Sequence, residues 1–334
     1  MNRRDAVLVL ALLAPAALAV RPARALAQTK KPRRVAGMFF PDEELSAPYA
    51  QAMLAGLREL GYSPGRDLIV DIRYANGDSS RVPALVDELI ALKPDVLFGI
   101  SELARVMMQK TKAIPIVLTA STDPVAGGFA QSLARPGGNV TGLTGLYEEL
   151  IAKHVELLVE IVPTLSRLVF FSNPPPLALA VTRLEQAARA AATAKHLSLI
   201  VAGAQDPEGV EKAFAMLEAQ RAQGILVVAT GNTLALRREI VARVRRLRLP
   251  SVSAMGGGGL WAEIGGLASY GVNLIESYRT AAGYVDRILK GGDPAVMPIE
   301  QAKTIDLVIN LKAARELGLK VPQSVLLRAN RVIE

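Results

Sequence analysis

Short runs rich in Val, Ile and Leu alternate along the chain with longer segments in which apolar residues recur every three or four positions. Strands of a parallel sheet that is covered by helices produce such runs, because both faces of the strand are buried. The pattern therefore predicts an α/β fold, and its restart after residue 145 predicts two lobes built alike. The predicted strands are 35–39, 68–74, 96–99, 116–119, 168–171, 198–202, 225–229 and 251–253. The predicted helices are 46–60, 79–92, 102–111, 148–161, 177–195, 207–221, 234–247 and 274–289.

Glycine-rich stretches interrupt this alternation at two places. The first, 136–145, has glycines spaced among Asn and Thr residues and is predicted to be a strand that crosses between the lobes. The second, 256–266, predicts a further irregular connection, after which the helix 274–289 packs back on the first lobe. Lobe 1 is predicted to comprise residues 33–142 and 268–302, and lobe 2 residues 143–266 and 303–334.

The first 27 residues have the composition of an export signal. A pair of arginines precedes an apolar run at 6–20, which is shorter than the roughly 18 to 20 residues that a membrane-spanning helix needs. Ala25 and Ala27 form the A-x-A pattern that a signal peptidase reads, so we predict a signal peptide at 1–27 and a mature start at Gln28. Cleavage after Ala25 is the second frame, and both the Sec and the twin-arginine routes stay open.

The amino-acid composition indicates the cellular compartment and the kinds of partner. The sequence has no cysteine, so it has neither disulfides nor the lipid-acceptor cysteine of a bacterial lipoprotein. Together with the leader, this predicts a free periplasmic protein with no lipid anchor. The formal net charge is +8, but the basic run 237–248 lacks the interleaved aromatic residues of a nucleic-acid surface. No nucleic-acid partner is expected.

Candidates for catalysis are sparse. The two histidines, His154 and His196, fall in helical segments and are predicted to lie at the surface. Without a cysteine, or a histidine beside a candidate serine, a Ser-His-Asp or Cys-His site has no members. No G-x-G-x-x-G follows the first strand, and G-x-x-x-x-G-K-[ST] is absent from the sequence. We expect no catalytic residue, no cofactor and no metal.

Several segments carry a resemblance to a known family: KPDVLFG at 93–99, IPIVLTASTDPV at 114–125, SLARPGGNVTG at 132–142 and LVINLKAARELG at 307–318. With them, the chain from about residue 33 to its end resembles the ABC-transporter substrate-binding family of type I periplasmic-binding fold. Tryptophan-binding lipoproteins of Gram-positive bacteria belong to that group. The resemblance implies two Rossmann-like lobes with parallel sheets, joined by three crossover strands, and a cleft that closes on its ligand. It also implies an ABC permease and ATPase subunits as partners, and a zwitterionic amino acid, aromatic or branched, as the ligand.

Ligand contacts are predicted at the carboxyl ends of the strands, where loops and helix N-termini present unpaired N–H groups that suit a carboxylate. Ser101 and Ser121 either cap the following helices or turn their hydroxyls toward the cleft. Asp123 either forms an Asp-Pro turn or pairs with a ligand ammonium, and Tyr270 either stacks on the ligand or anchors a hinge. The candidate ligand-binding residues are Phe40, Asp42, Ser101, Ser121, Thr122, Asp123, Asn173, Thr230, Asn232, Tyr270 and Asn273.

The patterns together predict the periplasmic solute-binding component of an ABC importer, whose lobes move about crossovers near 141–146, 264–270 and 300–306. A ligand-sensing input protein for a membrane receptor would need the same export signal and the same ligand cleft, so it stays open as the alternative. A transcription regulator on the same fold would need an N-terminal helix-turn-helix, and the export signal occupies that position.

Overall fold

The structure, a computed structural model, describes residues 31–145, 147–172, 179–253 and 259–334. The predicted signal peptide 1–27, the candidate Asn173 and the glycines at 256–258 lie outside the described residues. In the described part, no helix has both the length and the apolar character needed to cross a membrane.

The described strands form two sheets. They are β1 (Arg33–Phe39), β2 (Leu68–Tyr74), β3 (Val96–Ile100), β4 (Ile116–Ala120), β5 (Val140–Thr144), β6 (Arg167–Ser172), β7 (Ser198–Gly203), β8 (Gly224–Val227), β9 (Ser251–Ser253), β10 (Ala268–Val272), β11 (Glu300–Gln301), β12 (Ile305–Asn310) and β13 (Arg331–Ile333). The first sheet has the order β11-β5-β4-β3-β1-β2, and the second has the order β13-β12-β10-β9-β8-β6-β7. Among the described strands, all neighbours are parallel except β10 and β12.

Helices connect the strands and cover the sheets. They are α1 (Glu43–Glu59), α2 (Val82–Ala91), α3 (Ser101–Lys110), α4 (Tyr147–Ile161), α5 (Leu179–Ala194), α6 (Pro207–Ala219), α7 (Gly231–Ala235), α8 (Arg237–Arg246), α9 (Leu260–Glu263), α10 (Leu274–Leu289), α11 (Leu311–Leu317) and α12 (Gln323–Arg328), with a 3-10 turn at Ser79–Arg81. The segment 234–247, predicted as one helix, is divided between α7 and α8 at Leu236, whose backbone closes α7.

Buried side chains on both faces of the strands explain the apolar runs. In β1, Val35 and Phe39 pack in one hydrophobic cluster, while Ala36 and Met38 pack in the cluster on the opposite face. The second sheet repeats this alternation in its own strands. Since successive residues of a strand point to opposite faces, a sheet covered on both sides needs an unbroken apolar run. The predicted fold class, two α/β lobes with parallel sheets, is confirmed apart from the one antiparallel pair.

The chain passes between the sheets in three places within the described residues: after β5, after β10 and after β11. These passages are hydrogen-bonded to one another, since the Ala302 amide donates to the Thr144 carbonyl at 2.7 Å and the Asn273 amide donates to the Thr304 carbonyl at 2.9 Å. Helix α10 then packs on α1 and β4 of the first lobe, as predicted.

The second passage lies further along the chain than the sequence predicts. Residues 268–272, predicted to belong to lobe 1, form β10 in the second sheet, where they pair with β9 and β12. The reason is chemical: β10 reads ASYGV and lacks the Val/Ile/Leu run that marks the other strands. The predicted boundary at 268 is therefore misplaced, and the passage follows Val272.

Candidate functional site: a cleft between the two lobes

A cavity of about 160 Å³ lies between the lobes, where β1, β3, β4 and β8 end. A cavity needs only roughly 10–15 Å³ on this scale to hold one water, so this cavity is large enough for more than ordered solvent. The position agrees with the general rule that open α/β sheets bind ligands beyond the carboxyl ends of their strands.

Aromatic side chains form much of the cavity wall. Phe39, Phe40, Tyr49, Tyr147 and Tyr278 all line it, in a chain that has only seven Phe, seven Tyr and one Trp. The Tyr278 ring stacks on Phe39 with 5.2 Å between ring centroids and on Tyr49 with 5.7 Å. Such flat walls suit a ligand that has a planar apolar group, because aromatic rings pack best in offset-stacked or edge-to-face contact.

One face of α4 contributes lobe 2 residues to the cavity. Tyr147, Ile151 and His154 are spaced by four and three residues and therefore lie on the same side of the helix. The helical spacing is visible in the sequence, but nothing in a single helix pattern tells whether its inner face meets a core or a cleft. Of the aromatic wall residues, sequence reasoning selected only Phe40.

His154 is buried, with 1% of its surface exposed, so the prediction that it lies at the surface is wrong. Its Nε2 lies 2.5 Å from the Tyr270 carbonyl oxygen, which can only accept, so Nε2 carries the proton. Nδ1 is left as an acceptor and has no hydrogen-bond partner within the described part of the chain. Burial lowers the pKa of His154 to about 4, because it disfavours the charged imidazolium.

Four predicted polar residues line the cavity: Ser101, Ser121, Thr122 and Thr230. The Ser121 hydroxyl is buried and has no hydrogen-bond partner in the described residues. Ser101 is the first residue of α3, whose N-terminus has no side-chain cap. Thr230 caps α7 in a reciprocal bond pair with Thr233. Thr230 therefore forms a helix cap. A helix cap is also the role that the sequence leaves open for Ser101 and Ser121.

The two predicted aspartates are occupied by protein groups instead. Asp42 caps α1, since its carboxylate accepts the Leu45 amide at 2.9 Å. Asp123 accepts two backbone amides of its own Asp-Pro turn and pairs with Arg183 of lobe 2 at 2.5 Å. Neither lines the aromatic cavity. Asp123 thus adopts the turn that was the alternative to ligand binding, and it also links the lobes.

Three further candidates lie away from the cavity wall. Asn273 caps α10 and donates to the Asp306 carboxylate at 2.7 Å, so it holds two passages of the chain together. Tyr270 packs in the lobe 2 core, with its ring 5.7 Å from that of His154. Asn232 lies in α7 and is absent from the lining residues.

Glu102 is the acidic residue of the described cavity wall, which includes no Lys or Arg. Its side chain is exposed within the cleft, and partial loss of hydration raises the pKa of its carboxyl, while a hydrogen bond from its own backbone amide and the charge of Arg105 oppose this shift. Burial also raises the pKa of Tyr147 and, to a similar extent, that of Tyr278, and the charge of Glu102 adds to both shifts. The phenols therefore stay protonated at neutral pH.

The lobes approach closely at the rim of this cavity. A Cβ atom added to Gly231 of α7 would lie 2.5 Å from the Phe40 ring of lobe 1, which is closer than such atoms pack. A Cβ on Gly77 would lie 3.3 Å from Ala235. Glycine at 231 thus permits the contact between the lobes that encloses the cavity.

A sequence model of the family described as ABC transporter substrate binding protein matches residues 46–333, which span both lobes. The matched range includes all of the cavity lining except Phe39, Phe40 and Pro41. The chain belongs to this family. The tyrosine-binding protein of Clostridioides difficile is 24% identical over 274 residues, which are 81% of this chain and 76% of that protein.

Several solved structures have the same fold. A conserved domain protein from Vibrio cholerae has 30% sequence identity and a TM-score of 0.82, covering 90% of this chain and 100% of that chain. An ABC domain from Streptococcus pneumoniae, solved in complex with L-Trp, has 24% identity and a TM-score of 0.82, covering 91% and 100%. A ligand-free, open substrate-binding protein with adhesive properties from Clostridium difficile has 20% identity and a TM-score of 0.66, covering 90% and 99%. The predicted family and fold are confirmed.

Proposed function

We propose that the protein is the periplasmic solute-binding component of an ABC importer and that it captures an amino acid with an aromatic or branched side chain. The observation that carries the proposal is the cavity of about 160 Å³ walled by five aromatic residues. Its aromatic walls suit a ligand with a planar apolar side chain. Relatives named for tyrosine and tryptophan support the same ligand class.

Within this proposal, the ligand carboxylate binds at the start of α3. The uncapped N-terminus of that helix presents backbone N–H groups, and the Ser101 and Ser121 hydroxyls line the same cavity. Helix N-termini attract anions because their N–H groups lack intrahelical partners and the helix dipole is positive there. The Ser121 hydroxyl, which is 1% exposed and unpartnered, gains a hydrogen bond when such a ligand is present.

The proposed mechanism is closure of the lobes about the three passages that follow β5, β10 and β11. A ligand that touches both lobes favours the closed form only by as much as it binds that form more tightly. The proposed cellular setting follows from the leader: export, cleavage near Ala27 and delivery to a permease and an ATPase, without catalysis. The lobe boundaries form part of the same proposal, with β10 moved to lobe 2.

The first test is ligand screening with purified residues 28–334. Thermal-shift measurements against amino acids, purines, sugars and small acids, followed by titration calorimetry, should give saturable binding of one or a few aromatic or branched amino acids. Small-angle scattering at saturation should then show a more compact particle. Failure of all four classes to bind would overturn the proposed function, and an unchanged scattering profile would overturn the hinge mechanism alone.

A further inference from the structure

Glu102 is the acidic residue that lines the cleft, and the charge of Arg105 on the same helix acts on it from a distance. Within the described residues it takes part in no ion pair, although many other carboxylates do. The nearest basic residue along its helix, Arg105, donates to the Gly127 carbonyl at 3.0 Å and lies over the Phe129 ring. The described cavity wall includes no other charged residue.

The surroundings of Glu102 favour a cation. Tyr147 and Tyr278 lie within electrostatic reach of its carboxylate, since that charge raises the pKa of both phenols. The faces of tyrosine and phenylalanine rings attract cations, and they do so more strongly when water is excluded. A carboxylate and several aromatic rings around one small cavity therefore produce a negative potential.

The Glu102 side chain is exposed in this structure, so water hydrates its carboxylate before a ligand binds. Loss of that water without a counter-charge is unfavourable, and a well-placed cation offsets much of the cost. Closure of the cleft over a ligand removes the remaining water from Glu102. A ligand that brings a positive group relieves this penalty, whereas a ligand with only a negative group adds repulsion.

We propose that Glu102 is a specificity-determining residue that binds the ammonium group of the ligand, so that the cleft selects amino acids and aromatic amines over carboxylic acids that lack an amine. This inference rests on the proposed function, and it assigns the ammonium to Glu102 because Asp123, which the sequence left open as a partner for the ammonium, is already paired with Arg183. The carboxylate of an amino-acid ligand then lies at the start of α3 and its side chain against the aromatic wall.

The test compares amino acids with ligands that lack one of their two charged groups. Calorimetry with residues 28–334 compares L-tyrosine with tyramine and 3-(4-hydroxyphenyl)propionate, and L-tryptophan with tryptamine and indole-3-propionate. We expect each acid without an amine to bind about 100-fold more weakly than its amino acid, and each amine to lose less, because a hydrogen bond to a charged group contributes about 1.5–3 kcal/mol. An acid that binds as tightly as its amino acid would overturn the inference.

The second part of the test uses a variant in which residue 102 has no charge. Glu102→Gln should weaken binding of the amino acid and of the amine about 10- to 100-fold and leave the acid unchanged or slightly improved. Glu208→Gln is the matched control, since Glu208 is likewise the second residue of its helix but lies away from the cleft and pairs with Lys212. Urea unfolding of each variant verifies the fold.

The outcomes distinguish this inference from the proposed function. Tight amino-acid binding that Glu102→Gln does not change would overturn the role of Glu102 and leave the solute-binding function intact. Absence of binding by every amino acid, amine and acid would overturn both.

Discussion

The interior of the cleft and its rim are built from different chemistry. In the interior, His154 Nδ1 and the Ser121 hydroxyl have no hydrogen-bond partner within the described residues, and Glu102 takes part in no described ion pair. At the rim, Asp123 is paired with Arg183 across the lobes. Unpaired interior groups are costly until a ligand satisfies them, so they select the ligand. Contacts between lobes at the rim instead change the balance between open and closed forms. Under the proposed function, ligand choice and lobe closure would therefore depend on separate residues.

The largest effect is expected from the interior imidazole. Burial lowers the pKa of His154 from 6.5 to about 4, so the unfolded chain binds a proton before the folded chain does. Its contribution to the free energy of unfolding is complete above pH 6.5 and is lost as pH falls toward 4. At about 1.4 kcal/mol per pH unit, the loss approaches about 3 kcal/mol.

Urea unfolding of the wild type and of His154→Gln at a series of pH values between 7 and 4 measures this contribution. The wild type should lose stability more steeply on acidification than the variant, because glutamine cannot take up a proton. Parallel curves for the two proteins would show that the pKa of His154 is the same in the folded and the unfolded protein. Burial would then not disfavour the charged imidazole.

The next effect concerns closure at the rim. Gly231→Ala places a methyl group 2.5 Å from the Phe40 ring in the enclosed form. Overpacking of this kind costs about 1–3 kcal/mol, so ligand affinity should fall about 10- to 100-fold. The lobe itself should not lose stability, because alanine is a better helix former than glycine.

Gly283→Ala in α10 is the matched control, because its added Cβ meets nothing within 4 Å. It should leave ligand affinity unchanged and raise stability slightly. Calorimetry and urea unfolding of both variants separate the two effects. Equal affinity of Gly231→Ala and the wild type would mean that the ligand-bound lobes do not approach at this point.

The smallest effect is expected from the salt bridge between the lobes. Arg183 and Asp123 are about one-third exposed, and such pairs contribute about 0–1 kcal/mol. Arg183→Met should therefore weaken binding by less than about fivefold at low salt, and the difference should vanish at high salt. Arg189→Met, which breaks a pair with Glu185 on the same helix, is the control without an effect on affinity. A salt-independent loss in Arg183→Met would assign Arg183 a contact inside the cleft.

The regular elements were readable from the sequence because burial on both faces leaves a plain signal. The strands at 68–74 and 251–253 and the helix at 274–289 have the predicted bounds. Two of the elements that were missed lack that signal: β10 is made of small and polar residues, and β11 has two exposed ones. Likewise, the strand-end rule located Phe40, Ser101, Ser121, Thr122 and Thr230 in the cavity wall.

Apart from Phe39 at the end of β1, the aromatic wall residues that sequence reasoning missed come from helix faces. Tyr49, Tyr147, His154 and Tyr278 have ordinary amphipathic positions, and an inward-facing aromatic residue in a helix usually packs in a core. Only the arrangement of α1, α4 and α10 turns these side chains toward a cavity between the lobes.

The sequence by itself determined the α/β class, the two lobes, the strand ends where a ligand would bind and the absence of cysteine chemistry. These follow from local periodicity, from spacing and from composition, which are properties of neighbouring residues in the chain. The tertiary structure decided which polar groups are paired. Asp123 lies 60 positions from Arg183, and His154 lies 116 positions from the Tyr270 carbonyl that sets its protonated nitrogen. No local pattern encodes such contacts, because they depend on how one lobe is placed against the other and on how a helix packs on a distant strand.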